Sequence, residues 1–240
     1  MSRPRAVALA RSVSAILEPV FARLEEISEL AAASRPSDGV GWSEADLGDV
    51  RQLLLELIVE DSLTVGMGFV AAPAAIDGKD RYMLWWQQQG DRLARLRLNF
   101  DRASIDVYDY VEMDWFRLAG PGRPRVTFGP YIDYSGSEQY IVTASVPVIV
   151  DGHTVGIAGA DLLSRELERR LLEVLRGIPD EALIINAEGR IVAANSPRWV
   201  PGVRLRSRPE AGDRLEDRIV VDVAEPDVGI GWALVTTEPT

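Results

Sequence analysis

Aromatic and acidic side chains in the middle of the sequence have the composition of a binding pocket. Trp115 and Phe116 precede a segment rich in glycine and proline, and Tyr131, Asp133 and Tyr134 follow it. Loop-borne aromatic and carboxylate side chains around a rigid sheet are what a small-ligand pocket requires. A lid packed only for stability would use the same residue types, so this pattern leaves both interpretations open.

Two adjacent tryptophans, Trp85 and Trp86, lie in a segment of strand-forming residues. Successive side chains on a strand point to opposite faces of the sheet, so one packs in the main core and the other faces elsewhere. We include Trp86 among the pocket candidates, although alternation alone does not decide between the two.

The other motifs favour structural interpretations. Residues 66–71 (G-M-G-F-V-A) fit a loose dinucleotide-binding pattern, but strand-forming residues surround it, which favours glycines that allow a close backbone approach. The acidic residues between 106 and 114 lack the turning glycine of a calcium loop, and His153 has no positioned partner in sequence. We therefore predict no metal, no cofactor and no catalytic residue.

The composition excludes several classes of function. The chain has 240 residues with no cysteine and one histidine, which excludes disulfides, thiolate sites and multi-histidine metal clusters. Because 26 basic residues stand against 37 acidic ones, the net charge is −11, and we expect no nucleic-acid partner. The sequence contains no run of about 18 apolar residues, so we predict no membrane-spanning helix in it. We expect a soluble, cytoplasmic protein, or an extracellular domain if the chain is cut from a receptor.

The elements that must position the pocket can be read from the hydrophobic pattern. Apolar residues at spacings of three and four predict a long helix over 5–33, which Pro19 should kink or interrupt. A second helix is predicted to begin at Ser43, capped with Asp46, and to run through Ile58.

Strands are predicted after this helical segment. Their ranges are 64–72, 82–88, 94–100, 140–150 and 154–160, and a helix over 162–176 follows them. Asp151-Gly152 joins the last two strands in a tight hairpin.

A second, smaller module is predicted from strands at 182–186, 190–194, 218–223 and 230–236. The predicted fold class is α+β, a long N-terminal helix followed by two antiparallel-sheet modules. The predicted limits are 1–60 for the helical segment, 61–177 for the first sheet module and 178–240 for the smaller one.

The order of short motifs resembles a known family. Trp-Phe at 115–116, G-P-Y-I-D at 129–133, V-P-V at 146–148 and V-G-I-A-G-A-D-L at 155–162 look like the membrane-distal half of a double Cache (dCache, PDC-type) sensor domain. Residues 184–193 look like the first hairpin of the smaller module of such a domain. The chain is similar to the free-standing soluble Cache-domain proteins of actinobacteria, and the resemblance covers nearly all of it. It implies that both sheet modules are PAS-like, a double Cache fold, and that the module at 61–177 is the membrane-distal-type one that binds the ligand, with 178–240 as the membrane-proximal-type one.

The resemblance implies a set of ligand-binding residues. The amino-acid-binding branch holds the ligand carboxylate with an arginine placed two positions before a Trp-Tyr pair, and the ammonium group with a Tyr-x-Asp and a later Asp. The matching residues are Trp115, Phe116, Tyr131, Asp133 and Asp161, with Met113 in place of the arginine. Methionine provides no bidentate clamp for a carboxylate, which counts against ordinary α-amino acids.

Two carboxylates without their arginine favour a bound cation or the protonation of one of them. Trp115, Tyr131 and a strand tryptophan would each add about 0.5 to 2 kcal/mol through cation–π attraction. The leading hypothesis is a non-catalytic sensor of a small amine or quaternary ammonium compound.

Several alternatives remain. Arg117 or Arg125 could replace the clamp and give a sensor of an amino acid or small carboxylate, or the protein could be structural and bind no ligand. An enzyme based on paired carboxylates such as Asp133 and Asp161 is the least favoured. The resemblance also implies a homodimer through the N-terminal helix and a regulatory partner that the sequence does not identify.

Overall fold

The computed structural model describes residues 3–36, 41–59, 61–120, 122–134 and 136–239. The helices are α1 (Arg3–Ala33), α2 (Gly48–Leu57), α3 (Asp114–Arg117) and α4 (Ser164–Leu175), and a 3-10 turn, Tyr110–Glu112, precedes α3. The strands are β1 (Thr64–Ala71), β2 (Met83–Gln89), β3 (Arg92–Arg95), β4 (Val126–Ile132), β5 (Tyr140–Val150), β6 (His153–Leu163), β7 (Glu181–Ile185), β8 (Ile191–Ala194), β9 (Arg214–Leu215), β10 (Arg218–Ala224) and β11 (Ala233–Pro239).

The strands form two antiparallel sheets. The six-stranded sheet has the order β3-β2-β1-β6-β5-β4, and the five-stranded sheet has the order β8-β7-β11-β10-β9. A long N-terminal helix followed by two antiparallel sheets confirms the predicted α+β class.

The chain divides into two compact units, Val20–Leu163 and Met1–Pro19 with Ser164–Thr240. The six-stranded sheet belongs to the first unit and the five-stranded sheet to the second. The domain limits inferred from the sequence stay a prediction. Among the described helices, none combines the length and apolarity needed to cross a membrane.

Helix α1 continues through Pro19, so the predicted interruption does not occur. The apolar stripe is fully buried on both sides of this proline, with Val13, Leu17, Phe21 and Leu24 inaccessible to solvent. A proline inside a helix costs roughly 3 kcal/mol, and burying several large side chains at about 2 kcal/mol each outweighs that cost.

The predicted capping contact of Ser43 forms, but it closes a turn before α2. The hydroxyl of Ser43 donates to Asp46 Oδ2 over 2.8 Å. The helix itself begins later, at Gly48. The predicted start was therefore wrong by five residues (48 − 43 = 5).

The predicted hairpin is confirmed, and β6 is longer than expected. Asp151 and Gly152 have φ values of 52° and 77°, as a tight primed turn requires. The strand continues to Leu163, which pairs with Ile141 and whose N–H donates to Leu63 O over 2.9 Å. These bonds delay the start of α4 to Ser164.

Strand β4 was not predicted, because the Gly129-Pro130 pair looked like a loop. The strand passes through a cis Gly129–Pro130 bond, and its register with β5 shifts between Phe128 and Tyr131. On the other side of the sheet, β3 ends at Arg95, although the alternating residues Leu96 and Leu98 still pack against the core.

Candidate ligand-binding site

One face of the six-stranded sheet carries a row of side chains from neighbouring strands. Trp85 comes from β2, Asp161 from β6, Thr143 from β5 and Tyr131 from β4, and all four line one pocket. Asp161 pairs directly with Thr143 across the β5–β6 ladder. This row is the floor of the pocket.

Three glycines give the indole of Trp85 its place over the sheet. A Cβ atom on Gly66 would lie 2.7 Å from Trp85 Nε1, and one on Gly68 would lie 2.7 Å from Trp85 Cε3. A Cβ on Gly159 would lie 3.2 Å from Trp85 Cζ3. The ring therefore lies against bare backbone, which agrees with the close approach that the glycine pattern favoured.

Four side chains from the segment between β3 and β4 form the roof: Leu96, Leu98, Tyr108 and Trp115. The hydroxyl of Ser145 on β5 donates to the carbonyl oxygen of Trp115 over 2.8 Å and fixes α3 on the sheet. The cavity between floor and roof has a volume of about 20 Å³, or about 310 Å³ when the open space around it is counted. The smaller volume holds about one water molecule, so a larger ligand requires the roof to move.

The roof is anchored beside β1 and β2. Tyr110 donates its hydroxyl proton to Ala71 O over 2.7 Å and accepts the N–H of Tyr82 over 3.1 Å. Arg81 Nε contacts Asp109 Oδ1 at 3.0 Å, and this hydrogen bond lowers the pKa of the Asp109 carboxyl. These contacts hold residues 109 and 110 of the roof segment against residues 71, 81 and 82.

Asp161 is a buried carboxyl group with no positive neighbour among the residues that the structure describes. Its side chain accepts a hydrogen bond from Thr143 Oγ1 over 2.8 Å. Burial and, to a smaller extent, the nearby carboxylate of Asp133 raise the pKa of Asp161, the bond from Thr143 lowers it, and the net result is a pKa of about 8. Among the described side chains, no arginine or lysine contributes to this shift.

Asp133, which also lines the pocket, is held by backbone donors. Its carboxylate accepts the N–H of Gly136 over 3.1 Å and the N–H of Ser137 over 2.6 Å. A Cβ on Gly136 would overlap Asp133 Oδ2, so this position needs glycine. The contacts close the loop between β4 and β5 and keep the carboxylate beside the pocket.

The two tyrosines of the pocket remain protonated over the physiological range. Burial raises the pKa of Tyr108 and of Tyr131, and the carboxylates of Asp133 and Asp161 raise both further. Neutral phenol rings offer a hydroxyl group and a π face beside the carboxyl groups.

The structure brings together four of the residues predicted from sequence: Trp115, Tyr131, Asp133 and Asp161. Trp85 takes the position that was assigned to Trp86. Trp85 shares its face of β2 with Met83, which also lines the pocket, and the alternation of a strand places Trp86 on the opposite face.

Met113 and Phe116 do not line the pocket, contrary to the sequence-based expectation. Met113 is 38% exposed, directly before α3. Phe116 packs edge-on against Tyr110 and Trp115, at centroid distances of 5.1 and 6.1 Å. A single turn of helix cannot direct four successive side chains to one point, and Trp115 is the one that faces the site.

Sequence reasoning missed six further lining residues, which are Met83, Leu96, Leu98, Tyr108, Gly136 and Thr143. The two leucines had a signal, since the alternation over 94–100 placed them on the buried face. Thr143 and Tyr108 had none, because their roles depend on which strands become neighbours.

The two arginines considered as replacement clamps lie elsewhere. Arg125 Nε contacts Glu25 Oε1 at 2.7 Å, and its guanidinium lies 5.2 Å from the centroid of the Phe21 ring. Arg117 lies 3.7 Å from Glu112 and is mostly exposed. Neither lines the pocket.

Comparison with known proteins yields one family and several similar folds. The family described as methyl-accepting chemotaxis protein-like, first PDC sensor domain, matches residues 50–169. Comparison with curated protein sequences gives no significant match.

Three solved structures illustrate the similarity. The extracellular domain assigned to the histidine kinase mmHK1S-Z3 has a TM-score of 0.66 at 18% identity, covering 98% of this chain and 92% of that one. The ligand-binding domain of the Pseudomonas fluorescens chemoreceptor CtaA in complex with L-serine has a TM-score of 0.57 at 14% identity, covering 97% and 92%. That of the Pseudomonas aeruginosa amino acid chemoreceptor PctC in complex with GABA has a TM-score of 0.58 at 14% identity, covering 98% and 96%.

Proposed function

Because this chain belongs to the family of methyl-accepting chemotaxis protein-like PDC sensor domains, we propose that it is a non-catalytic sensor of a small amine or quaternary ammonium compound. One observation carries the proposal. Asp161 and Asp133 line the same pocket, and no cationic side chain among the described residues lines it with them.

A positive ligand would meet the electrostatic need of this pocket. A carboxylate removed from water loses its hydration, and a neighbouring carboxylate adds repulsion, so the ionised form of Asp161 is costly. An ammonium group beside Asp161 would offset both effects. Asp133, with two backbone N–H donors, supplies a second negative charge to the lining of the pocket.

The aromatic rings of the pocket suit the same ligand class. Trp85, Trp115, Tyr108 and Tyr131 surround the carboxyl groups, and neutral aromatic faces attract cations by about 0.5 to 2 kcal/mol each. Leu96, Leu98 and Met83 complete an apolar wall that methyl groups on nitrogen could contact.

The ligands of the relatives support part of this proposal. CtaA is solved with L-serine and PctC with GABA, and each of these compounds carries an ammonium and a carboxylate group. In this chain the pocket offers acceptors for the ammonium group but no arginine for the carboxylate. We therefore place compounds that lack a carboxylate ahead of amino acids.

Calorimetry with a matched ligand pair tests the proposal. Choline and its neutral isostere dimethylbutanol, in which carbon replaces the nitrogen, have nearly the same shape. We expect choline or another small amine to bind and the neutral isostere to bind at least about tenfold more weakly, a difference of about 1.4 kcal/mol. Equal affinities for the two would contradict a cation site.

Variants separate the cation site from the alternative amino-acid site. Asp161→Asn keeps the shape of the side chain and should abolish amine binding, whereas Asp106→Asn, which removes an exposed carboxylate, should leave binding unchanged. Binding of L-serine or GABA in preference to amines would favour the amino-acid alternative. Failure of every compound to raise the melting temperature would favour a structural protein.

Transmission of occupancy to a regulatory partner follows from this proposal, because a sensor acts through the difference between its bound and free states. Dimerisation through α1 remains a prediction. The stripe that would form such an interface is already buried within the chain, which counts against it.

A further inference from the structure

A chain of hydroxyl groups ends on the buried carboxyl group of the pocket. Thr143 Oγ1 carries one proton, which it donates to Asp161 Oδ1 over 2.8 Å. The contact of 2.8 Å between Tyr131 Oη and Thr143 Oγ1 then has the tyrosine as donor. The order of donation is therefore Tyr131 to Thr143 to Asp161.

The groups that face Asp161 include no positive charge among the described residues. They are Asp133 from the loop after β4, Tyr108 from the roof, Tyr131 from β4 and Thr143 from β5. One of these is a carboxylate, and the other three are neutral hydroxyl groups. Without a ligand, a proton is the positive charge available to Asp161, and burial favours this neutral form near pH 7.

Resting on the proposed function, we infer that a cationic ligand takes the place of the proton on Asp161, so that the site responds to ligand concentration and pH together. The exchange balances. The neutral carboxylic acid releases one proton to solvent, and the resulting carboxylate pairs with the ligand cation. The hydrogen bond from Thr143 to Oδ1 persists in both states, because that oxygen accepts a bond whether or not the group is ionised.

Tetramethylammonium is the suitable probe, because it has no proton of its own to release. Its affinity should be measured by calorimetry between about pH 6 and about pH 9, in two buffers with different enthalpies of ionisation. We expect the association constant to rise about tenfold per pH unit until the pKa of Asp161 is passed, and to be constant above it. The buffer dependence of the heat should show about one proton released per ligand at the acidic end.

The outcomes separate this inference from the proposed function. Binding that is equally strong at every pH, with no buffer-dependent heat, would overturn proton exchange and leave the amine sensor intact. No binding of the probe or of any amine at any pH would overturn both.

Thr143 offers an independent check, since its hydrogen bond lowers the pKa of Asp161. Thr143→Val keeps the shape of the side chain and removes this bond, so the pH at which affinity reaches its plateau should rise. Thr143→Ser retains the hydroxyl group and should keep the wild-type plateau. A purely structural role for Thr143 would lower the affinity equally at every pH, which would contradict the inference. If Thr143→Val does not fold, the wild-type titration still decides.

Discussion

At the scale of single residues, glycines shape the pocket as much as the side chains that line it. The indole of Trp85 lies over Gly66, Gly68 and Gly159, and a methyl group at either of the first two would meet the ring within 2.7 Å. The indole can lie close to the backbone of β1 and β6 because these positions are glycines and carry no side chain.

We expect Gly66→Ala to displace Trp85 and weaken ligand binding. The new Cβ would lie 2.7 Å from Trp85 Nε1, so the indole must move, whereas its distance of 3.4 Å from Asp161 Oδ2 is an ordinary contact. Overpacking of this kind costs about 1 to 3 kcal/mol of unfolding free energy. Chemical denaturation and calorimetry would measure the two effects.

Gly48→Ala is the matched control, because a Cβ there meets no atom within 4 Å. It should leave ligand binding unchanged. Equal affinity in wild type and Gly66→Ala would show that the position of Trp85 does not matter for the ligand.

Sequence reasoning identified four of the eleven residues that line the pocket, and the limit has a physical cause. Trp115, Tyr131, Asp133 and Asp161 were found because they belong to short motifs. Sequence left open whether Trp85 or Trp86 faces the pocket, and Trp85 is the one that lines it, because the alternation of a strand is visible in sequence but its inward face is not. The inward face of β2 depends on the glycines of β1 and β6. Strand β1 pairs with both β2 and β6, and these pairings exist only in the folded protein.

At the scale of elements, the pocket is a rigid sheet covered by a segment with little regular structure. The segment between β3 and α3 has a 3-10 turn but no strand, and Tyr110 is one of its anchors. The hydroxyl group of Tyr110 satisfies two buried backbone groups, Ala71 O and Tyr82 N–H.

We expect Tyr110→Phe to loosen the roof while the sheet stays intact. Leaving buried backbone groups unpaired costs about 1 to 3 kcal/mol. Hydrogen exchange should accelerate between residues 96 and 117 more than in β1, β5 or β6, and ligand affinity should fall. Tyr134→Phe, at a side chain that is 79% exposed, should change neither. Exchange that rises uniformly over the unit would instead indicate a general loss of stability.

The elements that sequence predicted well are those whose ends are chemically marked. The β5–β6 hairpin was found because Asp151-Gly152 accepts positive φ values. Strand β4 was missed because Gly129-Pro130 marks a break in most sequences, whereas here the strand resumes after a shift in register. Pairing with β5 outweighed the local preference of Gly129-Pro130 for a loop. A short segment of sequence shows only its local preference and not the strand with which it will pair.

At the scale of the whole molecule, the buried carboxyl group links stability to pH. The pKa of Asp161 is about 8 in the folded protein, against an ordinary value of 3.8. The folded state therefore holds a proton that the unfolded chain has already released, and the protein is stabilised fully below the ordinary pKa and progressively less as the pH rises to the folded one.

We expect the free energy of unfolding to fall as the pH rises from about 4 to about 8, by at most about 1.4 kcal/mol per pH unit. Denaturant titrations at a series of pH values would measure this slope. Repulsion within a chain of net charge −11 also destabilises the fold as the pH rises, so the wild type must be compared with Asp161→Asn. The variant should lose the part of the slope that Asp161 causes, and identical slopes in the two proteins would contradict a buried, protonated carboxyl group.

The two indoles of the pocket allow ligand binding to be followed by the intrinsic fluorescence of the protein. Trp85 and Trp115 are two of the six tryptophans, and both lie beside the carboxyl group whose ionisation state we expect to change. Ultraviolet emission should therefore report a ligand entering the site in real time, with no dye attached, and stopped-flow recordings of that emission would give its rates of arrival and departure.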